Sequence, residues 1–311
     1  MSVSLSVPGK SFLAGEYLAL NGGPAILIST LPKFELRVRN GAGWSPNIHK
    51  DSPAGKLIRK HAAFFNQFDL EFYDPHMGRG GWGASTAQFL TCYALLQWQD
   101  ATVIESEKDF DTHKMVNAYR ELAWNGHGIP PSGADLVGQL EGGITYFDRK
   151  RGQISQLKWG FHDLEFFLVP TGNKVPTHEH IAKIGAVVTE DLEVVVRQIQ
   201  ESMIHHNKER FIEGINLFAQ ELDRRQWVYP KTKELLEQYR AIPGVRAAKG
   251  CGALGADVVF VAVEKDKSVL FEALLKDSGK RYFTRHHLSN GLHVRVEGEM
   301  KINTYVQDIS P

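Results

Sequence analysis

The stretch Gly78-Arg79-Gly80-Gly81-Trp82-Gly83-Ala84-Ser85-Thr86-Ala87 puts four glycines in six positions, directly before a run of helix formers. Glycine takes positive φ freely and lets a backbone come close to a ligand. The following helix carries Phe89, Leu90, Tyr93, Ala94 and Leu96 as an apolar face. Its first turn would offer unpaired N–H groups and the positive end of a dipole, a natural seat for phosphate. Ser85 can serve in two ways. Its hydroxyl can reach a phosphate or a phosphate-bound Mg²⁺, or it can cap its own helix.

Two other loops carry chemistry. Pro8-Gly9-Lys10-Ser11-Phe12-Leu13-Ala14-Gly15-Glu16-Tyr17 follows an alternating strand, Val3, Leu5 and Val7, expected to end at Pro8-Gly9. It places a compact positive charge at a strand end, where a solvated turn lysine is the alternative. Pro131-Ser132-Gly133-Ala134-Asp135 holds one carboxylate in a tight turn. Such a group can act as a base or Mg²⁺ partner, or cap a helix. Both Gly78-x-Gly80-x-x-Gly83 and Gly250-x-Gly252-x-x-Gly255 match the dinucleotide fingerprint in form. Their context argues against it: Asp74-Pro75-His76 breaks the approach to the first, and the second precedes a strand, Val258–Val263. A Walker A pattern and the protein-kinase motifs are absent.

Composition narrows the class. The 311 residues carry 36 basic and 36 acidic side chains, and the two halves are as balanced as the whole, so no domain-scale nucleic-acid footprint exists. Neither a membrane span nor a signal peptide is expected. Two cysteines, Cys92 and Cys251, cannot build a disulfide framework and suit the cytoplasm. Cys251 reads as a small filler, since no base neighbours it in sequence. His178-Glu179-His180 lacks the spacing of a helical zinc site.

Further strands are expected at Phe34–Val38, Leu70–Tyr73, Gly142–Phe147, Leu164–Val169 and Leu292–Val296. Residues 40–56 read as a loop. Helices are expected over 109–123, 179–200, 203–222, 231–240 and Ser268–Leu275. Strands dominate early and helices late, without strict βαβ alternation, which predicts an α+β fold with a boundary near 155–165.

Taken together, the three loops and Lys249-Gly250-Cys251-Gly252-Ala253-Leu254-Gly255-Ala256-Asp257 resemble the motifs of the GHMP kinase family, in order and at family-like spacing. Lys10 and Ala14-Gly15-Glu16-Tyr17 are similar to the mevalonate-pathway branch. The Ala-x-Gly-x-Asp ending is most similar to phosphomevalonate kinase. Trp82 stands where leucine is usual and Ala84 where the first serine is; Leu254 and Ala256 stand where glycines are commoner.

The resemblance implies a ribosomal-S5-like domain over 1–160 and a ferredoxin-like domain over 161–311, with ATP and acceptor in the cleft between them. It implies Asp135 and Lys10 as catalytic residues, and Gly80, Gly81, Gly83, Ala84, Ser85 and Thr86 against ATP. Ser132, Gly133, Gly252, Ala253 and Lys174 would bind the acceptor, and Ser85 with Glu121 would hold Mg²⁺. Phosphomevalonate is the first acceptor to test, then mevalonate, then a sugar such as galactose. A phosphorylated acceptor needs extra cations, for which Lys174 and Arg79 are candidates. The implied partners are small molecules alone, and the chain is expected to be a monomer or homodimer. A ligand sensor of the same fold would be expected to lack the lysine, the serine or the aspartate; Lys10, Ser85 and Asp135 are all present.

Overall fold

Val3, Leu5 and Val7 are buried while Ser2, Ser4 and Ser6 are only half-buried, as one-sided strand alternation requires. In the computed structural model, which describes residues 2–98, 110–173 and 190–297, this strand does not stop at Pro8-Gly9. Strand β1 runs Ser2–Ala14, and its pairing with β2 (Pro24–Asn40) shifts register between Val7 and Gly9. A bulge at Pro8, which has no N–H to donate, lets the strand continue and carries Lys10 into the interior.

β2 pairs along its other edge with β3 (Phe68–Tyr73) and β4 (Ile144–Asp148). β5 (Gln153–Leu157) lies beyond β4. A second antiparallel sheet has the order β6 (Leu164–Pro170), β8 (Val258–Glu264), β7 (Val245–Cys251). The last strand, β9 (His293–Glu297), returns to pair with β1 at the edge of the first sheet. The chain therefore passes from the first sheet to the second and back, and residues 293–297, expected in the second domain, complete the N-terminal sheet.

Helix α1 (Pro53–Lys60) starts inside the stretch expected to be loop; Ser52 caps it by accepting from the Gly55 N–H at 3.1 Å, and Pro53 opens it. After the short α2 (Ala62–Phe65), helix α3 (Ala84–Trp98) follows the glycine loop and is buried on almost every side. α4 (Thr112–Ala123) is capped by Asp111, and α5 (Ala134–Glu141) begins at the aspartate loop. In the second lobe, α6 (Glu190–Ile204), α7 (Lys208–Arg224) and α8 (Pro230–Arg240) precede β7, and α9 (Ser268–Asp277) follows β8. Trp159, Phe166, Phe211 and Phe260 form the aromatic centre of that lobe. α6 packs on α7 and also reaches β2 and β5. There the fully buried Asp148 carboxylate accepts from Arg197 at 3.4 Å, tying the lobes together. Among the described residues no helix is long and apolar enough to cross a membrane.

Candidate active site

β1 and the start of α5 bring the two proposed catalytic side chains together. Lys10 Nζ lies 3.0 Å from Asp135 Oδ2, with Lys10 almost buried and Asp135 about one-third exposed. The ammonium also sits 5.1 Å from the Phe12 ring centre. Asp135 occupies the first turn of α5, where the helix dipole favours a carboxylate. Its second oxygen, Oδ1, is buried and has no hydrogen-bond partner.

The aspartate loop is held rigidly. Gly133 has φ +79°, and a Cβ there would fall 2.7 Å from Val116 Cγ1, so only glycine fits. Ser132 Oγ accepts from the Ala134 N–H at 3.2 Å, and Arg120 Nη1 donates to the Pro131 carbonyl at 2.9 Å. Ser132 and Gly133 thus build the turn that aims Asp135.

The glycine loop runs between Lys10 and residues 249–257, the third motif of the family pattern. A Cβ at Gly81 (φ +88°) would meet Asp257 Cβ at 2.6 Å, and one at Gly83 (φ +82°) would meet Lys10 Cε at 2.9 Å. Gly80, Gly81, Gly83 and Ala84 are half-buried, and Ser85 is exposed in the first turn of α3. Gly83, not Ser85, precedes that helix, so the Ser85 hydroxyl is not its N-cap. Thr86 departs from expectation. It is buried, and its hydroxyl donates to Gln139 Oε1 at 2.6 Å and approaches the Gly83 carbonyl at 2.9 Å, which leaves it committed to protein rather than nucleotide.

Gln139 is the residue sequence reasoning missed. Its amide also donates to the Pro8 carbonyl at 2.9 Å and the Gly83 carbonyl at 3.2 Å, locking all three N-lobe loops together. The signal was its place four residues after Asp135, one turn along the same helix face. Gly83→Ala should therefore cost about 1–3 kcal/mol of stability and displace Lys10. Turnover should drop about a hundredfold; thermal unfolding and kcat measured side by side check both.

The third motif closes the site from the second lobe. Gly252 and Ala253 form its half-exposed lip, and Asp257 Oδ2 lies 2.9 Å from where a Gly252 Cβ would sit. Leu254 has φ +53°, the left-handed conformation that suits the glycine commoner at that place, while Ala256 at φ −85° is ordinary. Two contacts fasten the motif to Glu16-Tyr17. The Tyr17 hydroxyl accepts from the Leu254 N–H at 3.0 Å, and Lys249 Nζ bonds Glu16 Oε1 at 3.0 Å with both side chains buried. Burial opposes a charged Lys249, but Cys251 and Glu16 outweigh it and hold the ammonium above its ordinary value. Burial pushes the Cys251 thiol up, away from nucleophilic chemistry.

Two expected residues do not join the site. Glu121 is two-thirds exposed and pairs with Lys60 at 3.1 Å. Tyr119 and Arg120 turn toward the Asp135 loop; Glu121, further round α4, faces α1 instead and stands apart from that loop. Among the described residues no three His, Cys, Asp or Glu side chains cluster to hold a metal. Lys174 and His178-Glu179-His180 lie outside the described residues. Arg79 is exposed on the glycine loop.

His76 lies beneath that loop, 1% exposed and stacked on Trp82 at 5.0 Å. Burial pushes its imidazole down to about 4; Asp74 and the Pro32 carbonyl oppose this, and Arg281 and Arg79 add to it. An unfolded chain binds this proton from about pH 6.5. Stability from the neutral ring is therefore full above pH 6.5 and is lost as pH falls toward 4, by about 2 kcal/mol at pH 5. Urea unfolding at pH 7 and pH 5 should show this drop in the wild type, and His76→Phe should lack that part of it.

The whole chain has known counterparts in shape. The Streptococcus pneumoniae phosphomevalonate kinase superposes with a TM-score of 0.71 at 18% identity, covering 91% of this chain and 99% of its own. Lactococcus lactis galactokinase, solved with galactose, gives 0.72 at 13% identity, covering 94% and 95%. The Methanococcus jannaschii mevalonate kinase gives 0.66 at 13%, covering 95% and 98%. The chain has the GHMP kinase fold. At these identities the likeness is one of fold, and it spans both lobes. No protein-family model and no curated protein matches the sequence. Within the GHMP kinase fold, the glycine loop of this chain joins the Lys10–Asp135 pair, through Gly83, to Asp257 of the third motif, through Gly81.

Proposed function

We propose that the chain is an ATP-dependent small-molecule kinase whose acceptor is phosphomevalonate. The observation that carries the reading is the Lys10–Asp135 pair at 3.0 Å, set at a buried helix start beside a glycine loop. Such a pair suits phosphoryl transfer, which asks mainly for positioning and charge neutralisation.

Asp135, about one-third exposed, accepts the proton of the acceptor hydroxyl. As the acceptor oxygen bonds the γ-phosphorus, the bond to the bridging oxygen breaks and ADP leaves. Lys10 neutralises charge on the oxygens passing between donor and acceptor. The N–H groups at the start of α3 and the positive-φ backbone at Gly81 and Gly83 bind phosphate oxygens. The exposed Ser85 hydroxyl fits a nucleotide-borne Mg²⁺, which typically needs only one or two protein oxygens. When bound, that ion supplies charge neutralisation at the phosphates.

Support for phosphomevalonate comes from the Ala-Gly-Glu-Tyr stretch and the Ala-x-Gly-x-Asp ending. A structural neighbour, the Streptococcus pneumoniae phosphomevalonate kinase, has been solved with phosphomevalonate and AMPPNP. The test is ADP release from ATP in the presence of phosphomevalonate, mevalonate or galactose in turn. Phosphomevalonate should stimulate release most strongly. Stimulation by another acceptor reassigns the substrate, and stimulation by none refutes the kinase reading.

A further inference from the structure

We infer that the Trp82 indole, packed against both His76 and Phe283, is the positioning group through which the second lobe sets the place of the glycine loop and Lys10. The inference rests on the kinase reading only for what the loop and the lysine then do. The Trp82 ring is 1% exposed and lies 5.0 Å from His76 at an interplanar angle of 12°. Beside His76, Phe283 meets it edge-on at 4.7 Å, and the His76 and Phe283 rings themselves touch edge-on at 6.3 Å, so the three rings form one cluster.

Both rings against Trp82 are fixed. Phe283 belongs to the second lobe: its N–H donates to the Leu168 carbonyl of β6 at 2.9 Å, and its carbonyl accepts from the Leu168 N–H at 2.7 Å. His76 packs on Phe34 of β2 at 5.1 Å and is bonded to the Pro32 carbonyl. The Trp82 carbonyl accepts the Lys10 N–H at 3.1 Å. Gly9 leaves room for the stack, since a Cβ there would come within 3.0 Å of His76 Nε2 and 3.3 Å of Trp82 Cε3.

A continuous series of contacts thus runs from β6 through Phe283 and Trp82 to the backbone of Lys10. Close-packed interiors transmit displacement because they contain little free volume. A leucine at this place has no ring to cover the His76 face and meet the Phe283 ring at the same time. A leucine here would leave a cavity and let the loop slide. Trp82 is a positioning residue: it acts on substrate through the loop and Lys10.

The experiment is hydrogen–deuterium exchange with mass spectrometry on the full chain, joined to steady-state kinetics. In Phe283→Leu and Trp82→Leu, amides of residues 8–12 and 80–85 should exchange about tenfold faster, while those of 153–157 keep wild-type protection. KM for ATP should rise about tenfold with the acceptor KM unchanged. Trp82→Phe, which keeps a ring, should restore both readouts. Unchanged exchange at 8–12 and 80–85 overturns the inference, as does an equal rise at 153–157, the mark of general destabilisation. Raised exchange confined to the two loops, in a chain that transfers no phosphate, upholds the positioning role while removing the kinase reading.

Discussion

Asp135→Asn will bind ATP as the wild type does and turn over about a thousandfold more slowly, the range expected when a positioned general base is lost. Asparagine keeps the shape and an oxygen for Lys10, so the 3.0 Å contact and the loop behind it survive. It cannot take the proton of an acceptor hydroxyl. The loop's own supports, Gly133 against Val116 and Arg120 on the Pro131 carbonyl, do not involve the carboxylate, so folding should be intact. Titration calorimetry with an ATP analogue and kcat on one preparation separate the two effects. Retained turnover rejects Asp135 as the base; lost nucleotide binding assigns it a binding role instead.

Lys249→Met will destabilise the protein by about 3–5 kcal/mol, because it strands the Glu16 carboxylate without its partner in a buried place. Glu16 Oε2 already has no hydrogen bond, so all the compensation at that carboxylate's charge comes through Oε1 and Lys249. The apolar methionine fits the lysine's surroundings, which include the Phe218 ring 5.4 Å from Nζ. Removing both charges with Glu16→Gln and Lys249→Met should therefore recover most of the loss. The pair joins the first motif to the third, so the single variant should also weaken substrate binding. Denaturant unfolding of the two single variants and the double variant closes the cycle. Additive losses would mean that the pair is not coupled.

The sequence made the motifs legible because their residues are chosen for backbone conformation. Gly81, Gly83 and Gly133 all have positive φ in places where a Cβ would collide with a neighbour. Lys10 and Asp135 were readable as chemistry, although only the fold puts them 3.0 Å apart. The course of β1 was not readable at Pro8, because a bulge that tolerates proline depends on the partner strand's register. Helix α1 was hidden by a Gly- and Pro-rich stretch, though Ser52 followed by Pro53 is a cap and first-turn signature.

Thr86 illustrates a different limit. A hydroxyl one residue from a phosphate seat looks available until Gln139 is placed beside it. Glu121 shows another limit: its place on the helix before the aspartate loop said nothing of which way round α4 it faces. The near-zero net charge also takes on meaning in the structure. Anionic substrates would be drawn by local groups, Lys10 and helix-start N–H groups among them, without a basic surface field.

The most direct measurement is a ³¹P NMR spectrum of the wild-type chain with ATP, Mg²⁺ and phosphomevalonate. Loss of the γ-phosphate signal should be matched by equal gains of ADP and of a diphosphate on the acceptor, with no such gain in Asp135→Asn. An acceptor phosphate signal that stays unchanged, whether ATP remains intact or yields only inorganic phosphate, would contradict the account.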